Sequence, residues 1–157
     1  MPYVFDTNSI AALSHYYPKQ FPTFWKLFHA AVDAEEVISV REVSKELDNH
    51  TFLQPWLAEW IKQHRVMFRI PSAEEMQFVG EIFKVKPFQA LVGEKQRLRG
   101  SPVADPFVIA CAKISNGIVI TQEVKKESGA KIPNVCDHFH IKWTNLEGFL
   151  AENDWEF

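Results

Sequence analysis

The sequence is short of cysteine, of net positive charge and of long apolar runs, and each shortage argues against a class of protein. Its 157 residues include only two cysteines, Cys111 and Cys136, too few for a disulfide framework, so both are expected to be free thiols. No apolar run approaches the roughly 20 residues that a membrane-spanning helix needs. The N-terminus also lacks the pattern of an export signal. These shortages predict a cytoplasmic protein with no membrane contact.

The charge balance gives no overall attraction for nucleic acid. There are 17 basic and 20 acidic residues, and the formal net charge is −3. Apolar residues make up 46% of the chain, with 13 Phe and 5 Trp, which is the composition of a globular protein with a sizeable core. Domains of about this length are the most common, so we predict a single domain over residues 1–157.

Four short apolar runs predict β-strands. They lie at residues 2–5, 36–40, 117–121 and, more weakly, 141–143. The first three are rich in Val, Ile and Phe and lack polar alternation, as in parallel strands that are covered on both faces. Residues 66–70 predict a short extra strand.

Between these runs, apolar residues recur at helical spacing. Helices are predicted near Ser9, over 24–32, after the second strand, over 53–64 and 72–84, and from Asp105 to the Asn116-Gly117 pair. Ser72 and Glu75 resemble a capping box at one helix start. Residues 93–102 are expected to be an exposed loop or helix end. Alternating strands and helices predict an α/β sandwich with a mainly parallel sheet.

Acidic side chains stand where two predicted strands end. Asp6 follows the first strand, and Glu123 follows the strand at 117–121. Ligand sites in such sheets lie at the carboxyl ends of the strands, so these two acids are expected to be neighbours. A helix cap for Asp6 and a solvated loop position for Glu123 are the alternatives.

Two further acids are placed by predicted helices. Asp105 begins a helix in an apolar neighbourhood, where the helix dipole stabilises a carboxylate, although a simple capping role is the alternative. Glu46 lies between Val43 and Leu47, nearer the apolar stripe of its helix than a solvated acid should. Glu42, one turn earlier, is the runner-up.

We call Asp6, Glu46, Asp105 and Glu123 the acidic site. Like charges brought together are costly unless a cation neutralises them, so the site predicts a bound metal ion. Oxygen ligands without a Cys/His cage favour Mg²⁺ or Mn²⁺, which activate water for phosphodiester hydrolysis. The spacing of Cys136, His138 and His140 is wrong for a zinc site, and we expect these three to be structural.

Four segments, in the right order, resemble the motifs of PIN-domain nucleases. They are Val4-Phe-Asp-Thr-Asn8, Val43-Ser-Lys-Glu-Leu47, Ala104-Asp-Pro-Phe-Val-Ile-Ala110 and Ile118-Val-Ile-Thr-Gln-Glu123. The chain is most similar to the small prokaryotic branch that includes the VapC-type toxins of toxin–antitoxin pairs. The similarity covers about residues 1–48 and 102–150, whereas residues 51–100 match only in being helical.

The resemblance implies a three-layer α/β/α fold and a Mg²⁺- or Mn²⁺-dependent endoribonuclease. It implies that the catalytic residues and metal ligands are Asp6, Glu46, Asp105 and Glu123. Asn8 and Thr121 match residues that support the first and the last acid. The family more often has Asp where Glu123 stands. Residues 125–137 are also longer than the family's usual loop, which leaves Asp137 as an alternative ligand. One or two metal ions would suit the site.

Basic residues predict an RNA path beside the acidic site. The principal ones are Arg97, Arg99, Lys125 and Lys126, and the further ones are Lys84, Lys86, Lys95 and Lys131. A solvated basic face is the alternative.

Two other functions and two partners stay open. A non-catalytic PIN-like binding protein, or a metal phosphoesterase that acts on DNA, would use the same fold. The tryptophans are expected to lie mostly in the core, with Trp56 and Trp60 one helical turn apart and able to pack together or against a partner. The candidate partners are an antitoxin protein and a second copy of the chain.

Overall fold

The computed structural model describes residues 1–50, 53–92 and 103–157. Its strands are β1 (Tyr3–Phe5), β2 (Val37–Val40), β3 (Phe68–Arg69), β4 (Ile118–Ile120) and β5 (Lys142–Thr144). Its helices are α1 (Thr7–Ala12), α2 (Pro22–Asp33), α3 (Arg41–Asp48), α4 (Pro55–Gln63), α5 (Ala73–Lys84), α6 (Asp105–Ser115), α7 (Ile132–His138) and α8 (Leu146–Glu152). Short 3₁₀ turns lie at Leu13–His15, Arg65–Met67 and Lys86–Leu91.

The five strands form one parallel sheet in the order β3-β2-β1-β4-β5. In the centre, Val4 of β1 pairs with Ile38 of β2 on one side and with Val119 of β4 on the other. The crossovers contain helices, which cover the sheet, and the predicted three-layer α/β/α sandwich is confirmed. All five carboxyl ends therefore lie along the same edge of the sheet.

Four strands lie within one residue of their predicted positions, but the strand predicted at 66–70 is reduced to two residues. Residues 65–67 form a 3₁₀ turn instead, and the side chain of Val66 is 86% exposed. Ile70, just beyond β3, is 72% exposed. Apolar character suggested a longer strand, whereas β3 is an edge strand that pairs with β2 over only Phe68 and Arg69.

Aromatic side chains fill much of the core. Phe5 of β1 is fully buried and makes edge-to-face contacts with Phe28 and Phe149, at ring-centroid distances of 5.7 and 5.2 Å. Trp56 and Trp60 of α4 each pack against Trp25 of α2, with ring centroids 5.5 Å apart in both pairs. These contacts join α2 to α4.

Two helix ends follow their sequence signals. Asn116 adopts a left-handed conformation with φ of 55° after α6, and the N–H of Gly117 donates to the Ala112 carbonyl at 2.8 Å. At the start of α5, the Ser72 hydroxyl oxygen accepts a hydrogen bond from the Glu75 N–H at 3.1 Å.

Exchanging Gly117 for Ala is expected to lower the free energy of unfolding by about 1–3 kcal/mol. A Cβ atom at this position would lie 2.6 Å from the Pro2 carbonyl oxygen, which accepts a hydrogen bond from the Ile118 N–H in the β1–β4 ladder. Gly80 in the interior of α5 is the matched control, because no atom lies within 4 Å of its added Cβ. Gly80→Ala should raise stability by about 0.5–1 kcal/mol in the same urea titration. Equal effects of the two changes would contradict the prediction.

Both cysteines are free and buried, as expected. Across the described ranges, none of the helices combines the length and the apolar character required to cross a membrane.

Candidate active site

Asp6 lies at the carboxyl end of β1 and also caps α1. Its Oδ1 accepts the Ser9 N–H at 2.8 Å, and its side chain is almost completely buried. The Ser9 hydroxyl in turn donates to the Ile120 carbonyl at 3.0 Å, which joins the start of α1 to β4. Burial raises the pKa of the Asp6 carboxyl group, while hydrogen bonds from Thr121 and Ser9 oppose the rise. Asp6 therefore caps α1 and also lies at the carboxyl end of β1, where a ligand site is expected.

Thr121 connects Asp6 to Glu123. The Thr121 side chain is fully buried, hydrogen-bonds to the Asp6 carboxylate, and accepts the Glu123 N–H at 3.1 Å. The Oε2 atom of Glu123 accepts the Ile132 N–H at 2.8 Å, at the first residue of α7. Glu123 is thus half-buried and held at both its backbone and its side chain, rather than being a freely solvated loop residue.

Glu46 joins α3 to two other parts of the chain. Its Oε1 accepts the Thr7 hydroxyl at 2.6 Å, and its Oε2 accepts the Ala104 N–H at 3.0 Å. Thr7 is the first residue of α1, and Ala104 precedes α6. One carboxylate therefore fixes three elements around the carboxyl end of β1.

Asp105 is the first residue of α6 and not its cap, because Ala104 occupies the capping position. Its pKa is raised from 3.8 to about 8, first by burial and then by the negative charges of Glu123, Glu46 and Asp6, in that order. Lys131 acts in the opposite direction. The carboxyl group of Asp105 thus lies within electrostatic range of the other three acids.

The donor chemistry of the acidic site fits a hard divalent cation. Burial, and then the negative charges of the three other carboxyl groups, raise the pKa of Asp105, and a bound cation would relieve that repulsion. Within the described ranges, however, no three His, Cys, Asp or Glu side chains form a group that could hold a metal ion in this conformation.

Two other predicted residues lie beside the acidic site without the same contacts. Asn8 is exposed in the first turn of α1, and the supporting hydrogen bonds come from its neighbours Thr7 and Ser9. Glu42 is 6% exposed and lies 3.2 Å from the Arg41 Nε, while its Oε1 has no hydrogen-bond partner among the described residues. Glu42 is more buried than Glu46, but it is Glu46 that faces Asp105.

Both oxygens of Asp137, the alternative ligand, are bonded to groups outside the acidic site. Its Oδ2 forms an ion pair with Lys125 at 2.7 Å, and its Oδ1 accepts the Trp143 indole N–H at 2.8 Å. These two contacts lower the pKa of Asp137, which matches a carboxylate already provided with donors. The geometry therefore favours Glu123 over Asp137 as the fourth member of the site.

The predicted basic residues are divided between described and undescribed parts of the chain. Lys95, Arg97 and Arg99 fall in residues 93–102, outside the described residues. Lys84 pairs with Glu81, and Lys125 pairs with Asp137. Lys126 is exposed on the segment between β4 and α7. These positions remain predictions for RNA contact.

The Cys-x-His-x-His run has structural surroundings. Cys136 is fully buried, and burial raises the pKa of its thiol. The His138 ring makes an edge-to-face contact with Phe88 at a centroid distance of 5.2 Å. The burial of Cys136 and the packing of His138 both suit the structural role expected from the spacing.

Sequence patterns did not indicate the two side chains that brace the acids, Thr7 and Ser9. Both are adjacent to Asn8, the residue that the motif comparison selected. The available signal was the pair of hydroxyl residues one and three positions after Asp6. Residues in the first turn of a helix can face the end of the preceding strand.

The five-stranded parallel sheet between helices fits a PIN-like three-layer α/β/α fold. A chain in the crystal structure of VapBC2 from Rickettsia felis, bound to a DNA fragment from their promoter, shares this fold with a TM-score of 0.51 and 12% identity. The alignment covers 92% of the present chain and 98% of that one. The chain belongs to the family DUF4411, described as a domain of unknown function, whose model matches residues 3–157. A comparison with curated protein sequences found no match.

Exchanging Thr7 for Val is expected to reduce the activity proposed below by about 10–100-fold, the usual effect of removing a hydrogen bond that orients a ligand. The change deletes the hydroxyl that donates to Glu46 Oε1 while keeping the β-branched shape. Thr7→Ser restores the donor and should restore most of the rate. Equal rates for the Val and Ser variants in a cleavage assay would show that this hydrogen bond has no functional role.

Proposed function

We propose that this protein is a Mg²⁺- or Mn²⁺-dependent endoribonuclease that hydrolyses RNA phosphodiester bonds at the acidic site. The observation that carries the proposal is the convergence on Asp105 of the charges of Asp6, Glu46 and Glu123. Clustered carboxylates of this kind are unfavourable in a protein without a cation, and hard cations at such clusters are suited to phosphodiester hydrolysis.

Each acid has a distinct part in the proposed reaction. A bound Mg²⁺ or Mn²⁺ ion would lower the pKa of a water molecule and neutralise charge on the phosphate. Asp6 and Asp105 are the direct ligands in this proposal, since burial raises the pKa of both carboxyl groups and a cation would favour their ionised forms. Glu46 and Glu123 complete the ligand set or orient the attacking water. No covalent intermediate is needed.

The backbone and hydroxyl donors keep these carboxylates in place before the cation binds. Thr7 and the Ala104 N–H hold Glu46, and the Ile132 N–H holds Glu123. Fixed donors of this kind reduce the reorganisation that accompanies ligand binding, which is how supporting hydrogen bonds tune metal sites.

A finer proposal is that the protein is the toxin of a toxin–antitoxin pair acting in the cytoplasm. Its support is the fold shared with a chain of the promoter-bound VapBC2 assembly and the resemblance of its motifs to the VapC branch. An antitoxin protein, or a second copy of the chain, is the partner in this proposal. Co-expression with the product of an adjacent small reading frame tests it, and a stable complex that suppresses RNA cleavage is expected.

Cleavage of a labelled RNA by the purified protein tests the proposed reaction. Wild type is compared in Mg²⁺, in Mn²⁺ and in EDTA, alongside Asp6→Asn and a single-stranded DNA of the same sequence. Metal-dependent cleavage of RNA that Asp6→Asn abolishes is the expected result. Preferential cleavage of the DNA would favour the alternative metal phosphoesterase. Rates no faster than the protein-free background, equal for wild type and Asp6→Asn with and without metal, would refute the reaction and favour a non-catalytic PIN-like binding protein.

A further inference from the structure

The segment between β4 and α7 is folded back onto α7. The Asn134 side chain accepts the Lys126 N–H at 3.2 Å and donates to the Lys126 carbonyl at 2.5 Å. The Lys125–Asp137 ion pair makes a second connection to α7. At the end of the segment, Glu123 accepts the Ile132 N–H. The start of α7 is thereby fixed beside the acidic site.

Lys131 occupies the residue immediately before α7. Its backbone is extended, with φ of −76° and ψ of 160°, and its side chain makes no capping hydrogen bond. The peptide that follows it donates to Glu123, so the Lys131 Cα lies next to a member of the acidic site. Its positive charge also lowers the pKa of Asp105, which places the ammonium group within electrostatic range of the buried acid.

The lysine is exposed and forms no ion pair with the residues that the structure describes. Within the described ranges, no carboxylate oxygen lies within 4.0 Å of the Lys131 Nζ, whereas Lys125 and Arg41 are each paired with an acid. A cation that is close to a group of carboxylates yet bonded to none of them keeps its hydrogen-bond donors available. An anionic ligand that enters the acidic site would meet these donors.

We propose that the Lys131 ammonium group binds a non-bridging oxygen of the RNA phosphate at the acidic site, an inference that rests on the proposed endoribonuclease function. The carboxylates repel a phosphate, and Lys131 supplies attraction on the side where α7 begins. It is a positioning residue, since it holds the phosphate against the metal-bearing carboxylates and exchanges no proton. Among the basic residues of the β4–α7 segment, it is the one whose next residue, Ile132, donates a backbone hydrogen bond to a member of the acidic site.

Binding is measured first, in the Asp105→Asn background, so that cleavage does not obscure it. The probe is a fluorescein-labelled 20-nucleotide single-stranded RNA, titrated in EDTA at increasing KCl concentrations. Adding Lys131→Gln should weaken binding and reduce the slope of log affinity against log salt by about 0.7, the value for one lost phosphate contact on a single strand. Lys131→Arg should retain the slope.

The matched control is Lys142→Gln, which removes the same charge from an exposed lysine at the amino end of β5. The sheet is parallel, so this residue lies at the edge opposite the acidic site. Its slope should equal that of the Asp105→Asn parent. Thermal melting of both lysine variants is expected to be unchanged, because neither side chain is buried.

Cleavage in the wild-type background gives a second readout. Lys131→Gln should raise KM for the RNA by more than it lowers kcat, and Lys131→Arg should restore KM. Matching slopes and matching KM values for Lys131→Gln and Lys142→Gln would overturn the phosphate contact. Absence of metal-dependent cleavage in wild type would refute the endoribonuclease proposal instead, and the salt slopes would still decide the role of Lys131. A wild-type protein that binds no RNA at all would overturn both.

Discussion

Exchange of Asp105 for Asn is expected to abolish metal-dependent RNA cleavage, with a loss in kcat on the order of 10²–10³ or more. The amide has nearly the same shape as the carboxylate but carries no charge, so the packing at the start of α6 is retained. Asp105 is the carboxyl group on which the charges of Glu123, Glu46 and Asp6 converge. Its removal therefore takes the central negative charge from the proposed cation site.

The measurement is single-turnover cleavage of a labelled RNA at saturating Mn²⁺. Glu123→Gln and Asp137→Asn form an informative pair, because they remove one negative charge each from the same part of the chain. Glu123→Gln should reduce the rate strongly, whereas Asp137→Asn should leave it near the wild-type value, since Asp137 is occupied by Lys125 and Trp143. The opposite ranking would identify Asp137 as the ligand, and full activity of Asp105→Asn would remove the acidic site from the mechanism.

The second large effect is on stability, and here the same substitution is expected to be beneficial. In EDTA, Asp105→Asn should raise the free energy of unfolding by about 2–5 kcal/mol at pH 8.5, with the gain shrinking toward zero near pH 4. The Asp105 pKa is about 8 in the folded protein, against 3.8 for the free group. Between these values the folded state holds a proton that the unfolded state has released.

The direction of this change in the free energy of unfolding follows from the uptake of a proton on folding. A carboxyl group with a raised pKa in the folded state contributes its full stability below about pH 4, and this contribution is lost as the pH rises toward 8. Wild-type protein without metal should therefore become less stable over this interval, and the Asn variant should show a weaker decline. Some decline should persist in the variant, because burial also raises the pKa of Asp6.

Urea denaturation at pH 5, 7 and 8.5 measures the effect, with Asp137→Asn as the control. That carboxylate has a lowered pKa and is exposed, so its replacement should give no gain at high pH. Repeating the series with Mn²⁺ should stabilise wild type far more than Asp105→Asn, because a cation that binds the folded state stabilises it. A wild-type stability that rises steadily from pH 5 to 8.5 in EDTA would contradict the assigned environment of Asp105.

Much of the sheet could be predicted from the sequence because buried parallel strands are short and continuously apolar. The runs around Val4, Ile38 and Val119 contain no polar alternation, and the structure pairs these three residues side by side. The same rule gave Asp6 and Glu123 their place at the carboxyl edge. Glu46 was chosen over Glu42 from helix phase and motif, and the Thr7 and Ala104 contacts agree with that choice.

The remaining features depend on contacts between distant parts of the chain. Nothing near Glu46 in the sequence indicates that its Oε2 meets the Ala104 N–H, 58 residues later. The sequence also does not indicate which of Lys125, Lys126 and Lys131 lies next to the acidic site. That depends on how the β4–α7 segment folds back onto Asn134 and Asp137. The length of β3 was misjudged because Val66 is apolar yet exposed, and apolar character alone cannot distinguish an edge position from the core.

The Asp6 carboxylate caps α1 and also has a proposed role as a metal ligand. These two roles determine how inactive variants at this position should be interpreted. Asn at position 6 keeps an oxygen that can accept the Ser9 N–H, so it removes the charge and preserves the start of α1. Ala removes the charge and also the oxygen that accepts the Ser9 N–H. The less stable Ala variant would lose activity through reduced abundance as well as through loss of the carboxylate. An inactive variant with Ala at this position would thus reveal little about the proposed catalysis, whereas an inactive variant with Asn is expected to stay folded and can be used to test RNA capture.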